Sequence, residues 1–403
     1  MKRAGVAERV VVLETENPRA ETGPLPSSPR SRRRRITSVV LVAVLCLPGV
    51  FWNLGMAISC AAGGGIDFNE FYSASRLAGT GHLYDWDALR HLEKDQGPPI
   101  PCGRLPVVSF GMKPLTLAGY LPARFLWLAI SVAALVGFAW MWPGVNRKVM
   151  MAALAWSLAA GYLLVLGQDT PVWLAAFAAG LLLLERGKPR LAGVAFALCL
   201  SKYHLGLGIP VFLLAQKRWQ TLAAGGATVA ALLAACFPIE GLAWPLRYWE
   251  TVRRPIFSVA DGRMPNLRGI AYRLPASTAV EVLAAAALVL LLWRVCRHTR
   301  ELGVAGAAAA ACGLLLGHHG YANDCALLMP LAVVMLWKPG PLWIRGWAAL
   351  LLTPVVTWLL ISSQPVWGQA LAVGFVFAAL LVEDRRASRT RAIPPVQQAH
   401  PAG

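Results

Sequence analysis

Residues 63–85 hold acidic side chains close to aromatic ones. The segment begins with three glycines and continues as Asp67-Phe-Asn-Glu-Phe-Tyr72. The spacing of its aromatic residues predicts an amphipathic helix over 67–78, which would lie in the plane of a membrane interface. Asp67 stands at the N-terminus of this helix, where the helix dipole favours a carboxylate. Such a carboxylate is suited to accept a proton from a hydroxyl group; the alternative is a helix cap without a chemical role.

A second set of candidate residues is basic. Segment 239–276 contains six arginines, of which Arg253 and Arg254 are adjacent. The planar guanidinium group suits a phosphate, so we expect both arginines, together with Lys202, to bind one. For the arginines, the alternatives are anionic lipid headgroups or solvent. For Lys202, which lies at the end of a short apolar run, the alternative is a snorkelling anchor.

A third polar group lies at residues 318–324. His318, His319 and Asp324 are candidates for binding sugar hydroxyls or for assisting Asp67, and a loop without function is the alternative. Two histidines are too few for a metal site, and recruiting Asp324 and Asp67 as ligands would be needed to complete one. We therefore expect no metal.

The elements that position these residues are apolar helices. Hydrophobic residues make up 57% of the 403 residues and charged residues only 14%, against roughly 45–50% and about 25% in ordinary globular domains. This composition excludes a soluble enzyme, a disordered chain and a coiled coil. It predicts an all-α polytopic membrane protein, because membrane-spanning helices need about 20 apolar residues.

The hydropathy pattern predicts a bundle of about twelve transmembrane helices. The predicted spans are 36–60, 124–142, 149–166, 171–184, 191–201, 205–215, 219–238, 277–293, 302–317, 325–337, 346–361 and 366–382. Residues 105–122 are apolar but interrupted by three prolines, which predicts a re-entrant or buried segment. The flanking regions, 1–35 and 383–403, are predicted to be cytoplasmic tails, the first of them disordered.

Basic residues fix the predicted orientation. The net charge is +18, but the cations concentrate in the N-terminal tail and in short connectors. Such a pattern sets membrane topology and argues against a nucleic-acid partner. With residues 30–35 in the cytoplasm, both termini are cytoplasmic. The unusual polar segments then share the outer face: 61–104, 167–170, 202–204, 239–276 and 318–324.

The eight cysteines form no CxxC motif and no Cys/His cluster. Cys60 and Cys102 bracket the first outer segment. They would form a disulfide in an oxidising compartment, unless their separation is too great.

The order of several motifs resembles glycosyltransferase family 87. Asp67-Phe-x-x-Phe-Tyr-x-Ala-x-Arg76, followed by Gly81-His-Leu-Tyr-Asp85, is similar to the first outer loop of these membrane enzymes of the GT-C class. Weaker matches follow in the family's order: Lys113-Pro-Leu, Gly167-Gln-Asp169, Gly187–Gly193 with Lys202, and His318–Pro330. The resemblance runs from about 36 to 340. It departs from the family at Lys202-Tyr203, where Lys-Pro is usual, and at 107–112, where Tyr-Pro-Pro is common.

The resemblance implies a GT-C-like fold and a reaction. A sugar, above all mannose, passes from a polyprenyl phosphate to a hydroxyl of a lipid or glycan acceptor, on the extracytoplasmic face of a bacterial inner membrane. Asp67 is the implied general base and the anomeric configuration inverts. No cofactor is implied, since cations or amides stabilise the leaving phosphate. The substrate-binding candidates are Tyr72, Arg76, Asp85, Gln168, His204, His318, His319 and Asp324.

Two other classes stay open on the residues alone. One is a transporter or flippase for a lipid-linked sugar, with the outer loops as its gate. The other is a structural membrane scaffold. Transporters more often place charges in the middle of their spans, and the predicted spans have few, which favours the enzyme.

Overall fold

The computed structural model describes residues 29–63, 66–93, 99–254 and 261–392, and these ranges are helical, without a strand. The helices are α1 (Pro29–Ala62), α2 (Ile66–Leu77), α3 (Trp86–Glu93), α4 (Pro106–Gly111), α5 (Tyr120–Met141), α6 (Arg147–Trp156), α7 (Leu158–Leu166), α8 (Thr170–Glu185), α9 (Pro189–Ala197), α10 (Gly208–Ala215), α11 (Trp219–Glu240), α12 (Trp244–Val252), α13 (Leu267–Ala271), α14 (Ser277–His298), α15 (Leu302–Leu316), α16 (Met329–Trp337), α17 (Leu342–Leu351), α18 (Pro354–Ile361) and α19 (Pro365–Ala392). Short 3₁₀ helices lie at Lys113–Ala118, Leu198–Gly206, Asp261–Arg263 and Ala322–Leu328. The chain divides into two compact units, 1–43 and 44–403, and every contact described below lies within the second.

The helices confirm an all-α polytopic membrane protein. Among the described residues, α5, α11, α14 and α19 are each long and apolar enough to cross a membrane. Four pairs of helices pass the same test together but are bent by 50–117°, so the count reaches eight if each pair is one span. Each of the twelve predicted spans falls on helical residues, yet several are short. The predicted spans 191–201 and 205–215 are the two arms of the sharpest bend, 117°.

The first and the last helix, α1 and α19, extend further than predicted. α1 begins at Pro29, so the basic residues 30–35, predicted as disordered, are helical instead. α19 continues to Ala392, ten residues past the predicted end of its span. Arginine is a good helix former, and a helix already nucleated in an apolar run propagates readily. The remaining tail residues, 1–28 and 393–403, lie outside the described residues.

The core is built around α15, which is alanine-rich and buried on all sides. Small residues let backbones approach closely. A Cβ atom at Gly208 of α10 would lie 2.0 Å from the Ala309 carbonyl oxygen, and one at Gly313 would lie 2.0 Å from the Leu205 carbonyl oxygen. These contacts fix the segment before α10, which carries Lys202, against α15.

α2 forms where the aromatic spacing predicted a helix, but it is buried more deeply than an interfacial helix. Its side chains from Phe68 to Ser75 are all buried. It packs against α3, α4, α7 and the 3₁₀ helix at Lys113–Ala118. Two of its polar side chains are hydrogen-bonded within the protein: the hydroxyl of Tyr120, which begins α5, donates to Asn69, and the Ser75 hydroxyl donates to the Phe71 carbonyl one turn earlier in α2, at 2.5 Å.

Residues 105–122 form the broken helical segment that their prolines predict. α4 begins with Pro106, and Pro114 occupies the first turn of the 3₁₀ helix, positions where a missing N–H costs no helical hydrogen bond. Lys113 of this segment donates to the Ala78 carbonyl at 2.6 Å, which attaches the segment to the end of α2.

The disulfide between Cys60 and Cys102 is not formed, and both cysteines are free thiols. Cys102 is fully buried and its thiol contacts the Ser109 hydroxyl at 3.8 Å, whereas Cys60 is exposed.

Candidate active site

One end of the helical bundle encloses a cavity of about 550 Å³. Its walls include residues of all five segments that the charge pattern groups on one face: 61–104, 167–170, 202–204, 239–276 and 318–324. The ionisable and polar residues of its lining include Asp67, Glu70, Arg104, Gln168, Lys202, His204, Arg263, His318, His319, Tyr321, Asn323 and Asp324. Seven of the twelve site residues predicted from sequence are in this set.

Asp67 lies in the first turn of α2 and lines the cavity. The side-chain amide of Gln168 donates a hydrogen bond to the Asp67 Oδ2 atom. Gln168 follows Gly167, which ends α7 with a φ of +77°. A Cβ at Gly167 would lie 2.9 Å from the Phe68 Cβ, so the close approach of α2 requires glycine at this turn. The Gly-Gln turn therefore orients the carboxylate.

Lys202 and Asp324 form a buried ion pair, with Nζ and Oδ1 at 2.9 Å. Thr170 completes a triangle, accepting from Lys202 at 2.7 Å and donating to Asp324 at 2.9 Å. Lys202 adopts a non-helical conformation at a kink in its 3₁₀ helix, which turns its side chain toward the pair. The predicted phosphate ligand is therefore engaged by a carboxylate, and the predicted sugar ligand Asp324 by an ammonium group.

Arg104 is a cavity residue that the sequence analysis missed. Its Nη2 atom lies 3.1 Å from the Asp169 Oδ1 atom, and its guanidinium carbon lies 4.8 Å from the centre of the Phe71 ring. Burial acts to lower the pKa of Arg104, but the Asp169 and Glu70 carboxylates outweigh it and raise this pKa above its usual value. Arg104 therefore presents a fixed positive charge.

Two buried glutamates hold the loop that carries Arg104. Glu70 accepts from the Gly103 N–H at 2.9 Å, and Glu93 accepts from the Ile100 N–H at 2.7 Å. The Tyr84 hydroxyl donates to the Arg104 carbonyl at 2.8 Å. Burial is the main cause that raises the pKa of Glu93 to about 7.

Three histidines stand together on another wall of the cavity. The ring centres of His204, His318 and His319 are 5.9–6.3 Å apart, and His319 Nε2 lies 2.6 Å from the Tyr321 hydroxyl. Across the described ranges, no three or more His, Cys, Asp or Glu side chains are grouped closely enough to hold a metal ion. The histidines are thus placed to hydrogen-bond a polar substrate.

The two arginines predicted to bind phosphate are not in the cavity lining. The Arg253 guanidinium lies over the Trp249 ring at 4.4 Å, and that of Arg254 over the Trp86 ring at 5.6 Å. Tryptophan faces attract guanidinium groups, and this stacking holds both side chains elsewhere. Arg263, another arginine of segment 239–276, does line the cavity.

Three predicted substrate ligands also lie outside the lining. Tyr72 is buried and its ring meets that of Tyr120 edge-on at 5.3 Å. Arg76 is exposed. Asp85 caps α3, accepting from the main-chain N–H groups of Asp87 and Ala88 at 3.0 and 3.2 Å. Those hydrogen bonds, first that from Ala88, lower the pKa of Asp85.

An apolar groove of about 170 Å³ meets the cavity at Tyr203, whose side chain lines both. The groove runs between the bent α9–α10 pair and α11, with walls that include Phe196, Leu213 and Val229. The Tyr203 hydroxyl accepts from that of Tyr248 at 3.1 Å. A charged cavity and an apolar groove thus lie on either side of Tyr203, an arrangement that suits an amphiphile.

The family-like motif Gly167-Gln-Asp169 pointed to Gln168 and Asp169 as site residues. The indications for Arg104, Thr170 and Tyr321 were weaker. The one signal for Arg104 was an arginine at the end of a predicted outer segment, where topology does not call for a cation. Asp169 keeps a buried oxygen, Oδ2, that has no hydrogen-bond partner within the described part of the chain. Together the residues offer a carboxylate, fixed cations and many polar groups to one ligand.

A family model described as glycosyltransferase family 87 matches residues 106–318, which is more than half of the chain. The matched region contains Gln168, Lys202 and Arg263 and ends at His318, whereas Asp67 and Arg104 precede it. No curated protein and no solved structure matches the chain.

Proposed function

The chain belongs to glycosyltransferase family 87, and from that premise we propose that its cavity transfers a sugar from a polyprenyl-phosphate donor to an acceptor hydroxyl, with Asp67 as general base. Family membership and the apolar helices indicate a membrane glycosyltransferase. Mannose is the sugar we propose. The observation that carries the proposal is the placement of Asp67, oriented by Gln168, in the same cavity as Arg104.

In the proposed reaction the acceptor hydroxyl gives its proton to the Asp67 carboxylate as its oxygen attacks the anomeric carbon. The bond from that carbon to the phosphate oxygen breaks, and polyprenyl phosphate leaves with its negative charge. Attack opposite the leaving group inverts the anomeric configuration, through a transition state with oxocarbenium character as in glycosidases. Positioned base catalysis of this kind typically contributes 10²–10⁴-fold.

Arg104 and Arg263 are the cations we propose for the donor phosphate. Arg104 is held by Asp169 on one side and by its loop on the other, so its charge is fixed before the donor binds. Preorganised cations of this kind stabilise charge on a leaving group without reorganisation. Lys202, paired with Asp324, supports the wall of the cavity and adds a positive charge near Asp169, at 3.7 Å.

The groove beside Tyr203 supports a lipid-linked donor. Its lining is mostly apolar, and it shares Tyr203 with the cavity that Lys202 and His204 line. An isoprenoid chain in the groove would leave its phosphate sugar in the polar cavity. The connectors at the opposite ends of these helices are basic, and basic connectors favour the cytoplasm. This supports a cavity on the extracytoplasmic side.

The test uses the full chain in nanodiscs with radiolabelled polyprenyl-phosphate mannose and alkyl mannosides as acceptors. We expect a labelled glycoside whose anomeric configuration, determined by NMR, is opposite to that of the donor. Polyprenyl-phosphate glucose is tested as a second donor, so that the rates with the two donors give the preference for the sugar. In proteoliposomes, movement of intact donor across the bilayer without any glycoside would contradict the proposal and favour transport.

A further inference from the structure

A second cavity, of about 530 Å³, lies where two connectors meet. The connector from α10 to α11 contributes Lys217 and Arg218. The last turn of α14 contributes Arg297, and the connector from α14 to α15 contributes Arg300. α15 starts beside this cavity and ends beside the catalytic one. At 1.5 Å per residue its 15 residues separate the two sites by about 22 Å. We propose that this second cavity, the connector cavity, binds the phosphate of an anionic phospholipid headgroup.

The charge of the connector cavity is one-sided. Among the residues that the structure describes, its lining contains four cations and no carboxylate. Two acids beside this region pair with other cations: Asp384, which contacts His298, pairs with Arg294 at 2.9 Å, and Glu301, which follows Arg300 in the chain, pairs with Lys338 at 2.5 Å. In the described part of the chain, Lys217, Arg218 and Arg300 form no ion pair with a carboxylate. Their charges are therefore available to an anion.

The side chain of Gln216, at the end of α10, ties the first connector to the end of α14. The Gln216 amide donates to the Cys296 and Thr299 carbonyls, both at 3.4 Å. Its buried Oε1 atom has no partner among the described residues. The two pairs of cations therefore face one space from segments that are tied to each other.

The backbone at Lys217 is left-handed, at a position where glycine is usual. α8 and α10 end with the same pair of main-chain hydrogen bonds, in which the residue after the cap is left-handed. In α8 that residue is Gly187, with φ +69°; in α10 it is Lys217, with φ +55°. Glycine adopts this conformation without steric cost and lysine does not. The chain thus tolerates strain at the position that places an ammonium group in the connector cavity.

The surroundings favour a lipid over a soluble anion. α11 begins directly after Arg218 with Trp219, whose side chain is 59% exposed on a membrane helix. Tryptophan collects at the level of lipid headgroups. Basic pockets between membrane helices at that level recognise anionic headgroups, with each cation contributing to attraction near the surface.

The experiment measures lipid retention by native mass spectrometry of the delipidated full chain, titrated with phosphatidylglycerol or with phosphatidylcholine. We expect the wild type to retain phosphatidylglycerol preferentially. The triple variant K217Q/R218Q/R300Q should lose that preference by more than about tenfold. The matched control R186Q/K188Q/R190Q removes three exposed cations from the α8–α9 connector and the first turn of α9, and it should retain the wild-type preference.

A single substitution separates ligand binding from folding. Lys217→Gly removes the ammonium group and suits the left-handed backbone, so the thermal midpoint should stay or rise while phosphatidylglycerol retention falls about fivefold. Equal losses in the triple variant and its control would overturn the proposal, because diffuse surface charge would then explain retention. Full displacement of the lipid by inorganic phosphate would also overturn it, in favour of a soluble anion.

Discussion

Gln168 donates a hydrogen bond to the Asp67 carboxylate from a position 101 residues later in the chain. The turn that carries Gln168 requires a glycine at 167, because the Cβ of Phe68 leaves no room for another. α7 therefore orients the carboxylate that begins α2. The candidate base owes its orientation to a contact between segments that are distant in sequence.

Gln168→Leu should lower kcat with little change in the KM for the donor. The variant keeps the bulk of the side chain but removes a charge-assisted hydrogen bond worth about 1.5–3 kcal/mol, which corresponds to roughly a ten- to hundredfold loss. Steady-state kinetics with polyprenyl-phosphate mannose measures the split. A rise in KM at constant kcat would instead make Gln168 a ligand of the donor.

Asp324→Asn should lower the free energy of unfolding by roughly 3 kcal/mol, because the buried Lys202 then loses the carboxylate at 2.9 Å and keeps only that of Asp169 at 3.7 Å. The double variant K202M/D324L should recover most of that stability, since an apolar pair needs no desolvation of charge. Thermal unfolding in detergent measures both, with Asp87→Asn, an exposed position, as control. A double variant as unstable as the single one would show that the pair is not the cause.

Arg104→Gln should weaken binding of polyprenyl-phosphate mannose about thirtyfold or more. Truncating one partner of a buried charge pair costs about 2 kcal/mol or more, and here it also leaves Asp169 without its arginine. The double variant R253Q/R254Q should change binding by less than about threefold, because these side chains stack on tryptophans outside the cavity. Binding to nanodiscs is the measurement. The reverse order of effects would restore the phosphate role predicted for Arg253 and Arg254.

Stability should fall as the pH rises through the titration of Glu93. Its pKa is about 7 in the fold and 4.5 when unperturbed. A raised pKa means that the protonated form is favoured in the fold, so its contribution is full below about pH 4.5 and is lost as the pH rises to about 7. Glu93→Gln should make the thermal midpoint vary less with pH over this window. Glu185→Gln, at an exposed position, should leave the pH dependence unchanged; equal flattening would refute the assignment.

Hydropathy and charge predicted the helical membrane architecture because both depend on local runs of residues. The burial of α2 was not predictable in this way. A helix lying at an interface would leave Asn69 and Glu70 to water, yet Tyr120 and Gly103 hydrogen-bond to them within the protein. These partners come from other turns and segments, and no local pattern announces them.

Candidate site residues could be predicted where they belong to a short motif. They could not be predicted where a contact within the fold sets the position of the side chain. Asp67, Gln168 and the histidines were found through short motifs. The phosphate role of Arg253 and Arg254 stays a prediction; neither lines the cavity, because Arg253 stacks on Trp249 one turn earlier in α12 and Arg254 stacks on Trp86 of α3. Arg104 was missed because its position rests on a loop held by Glu70 and Glu93.

The most direct test of the central claim is Asp67→Asn, which keeps the shape of the side chain and removes the base. Donor consumption and donor binding are measured together in nanodiscs with polyprenyl-phosphate mannose and alkyl mannosides, with Asp87→Asn as control. We expect donor consumption to fall about 10²-fold or more while donor binding persists, and the control to match the wild type. Equal turnover by Asp67→Asn and the wild type would remove Asp67 from the reaction and contradict the account.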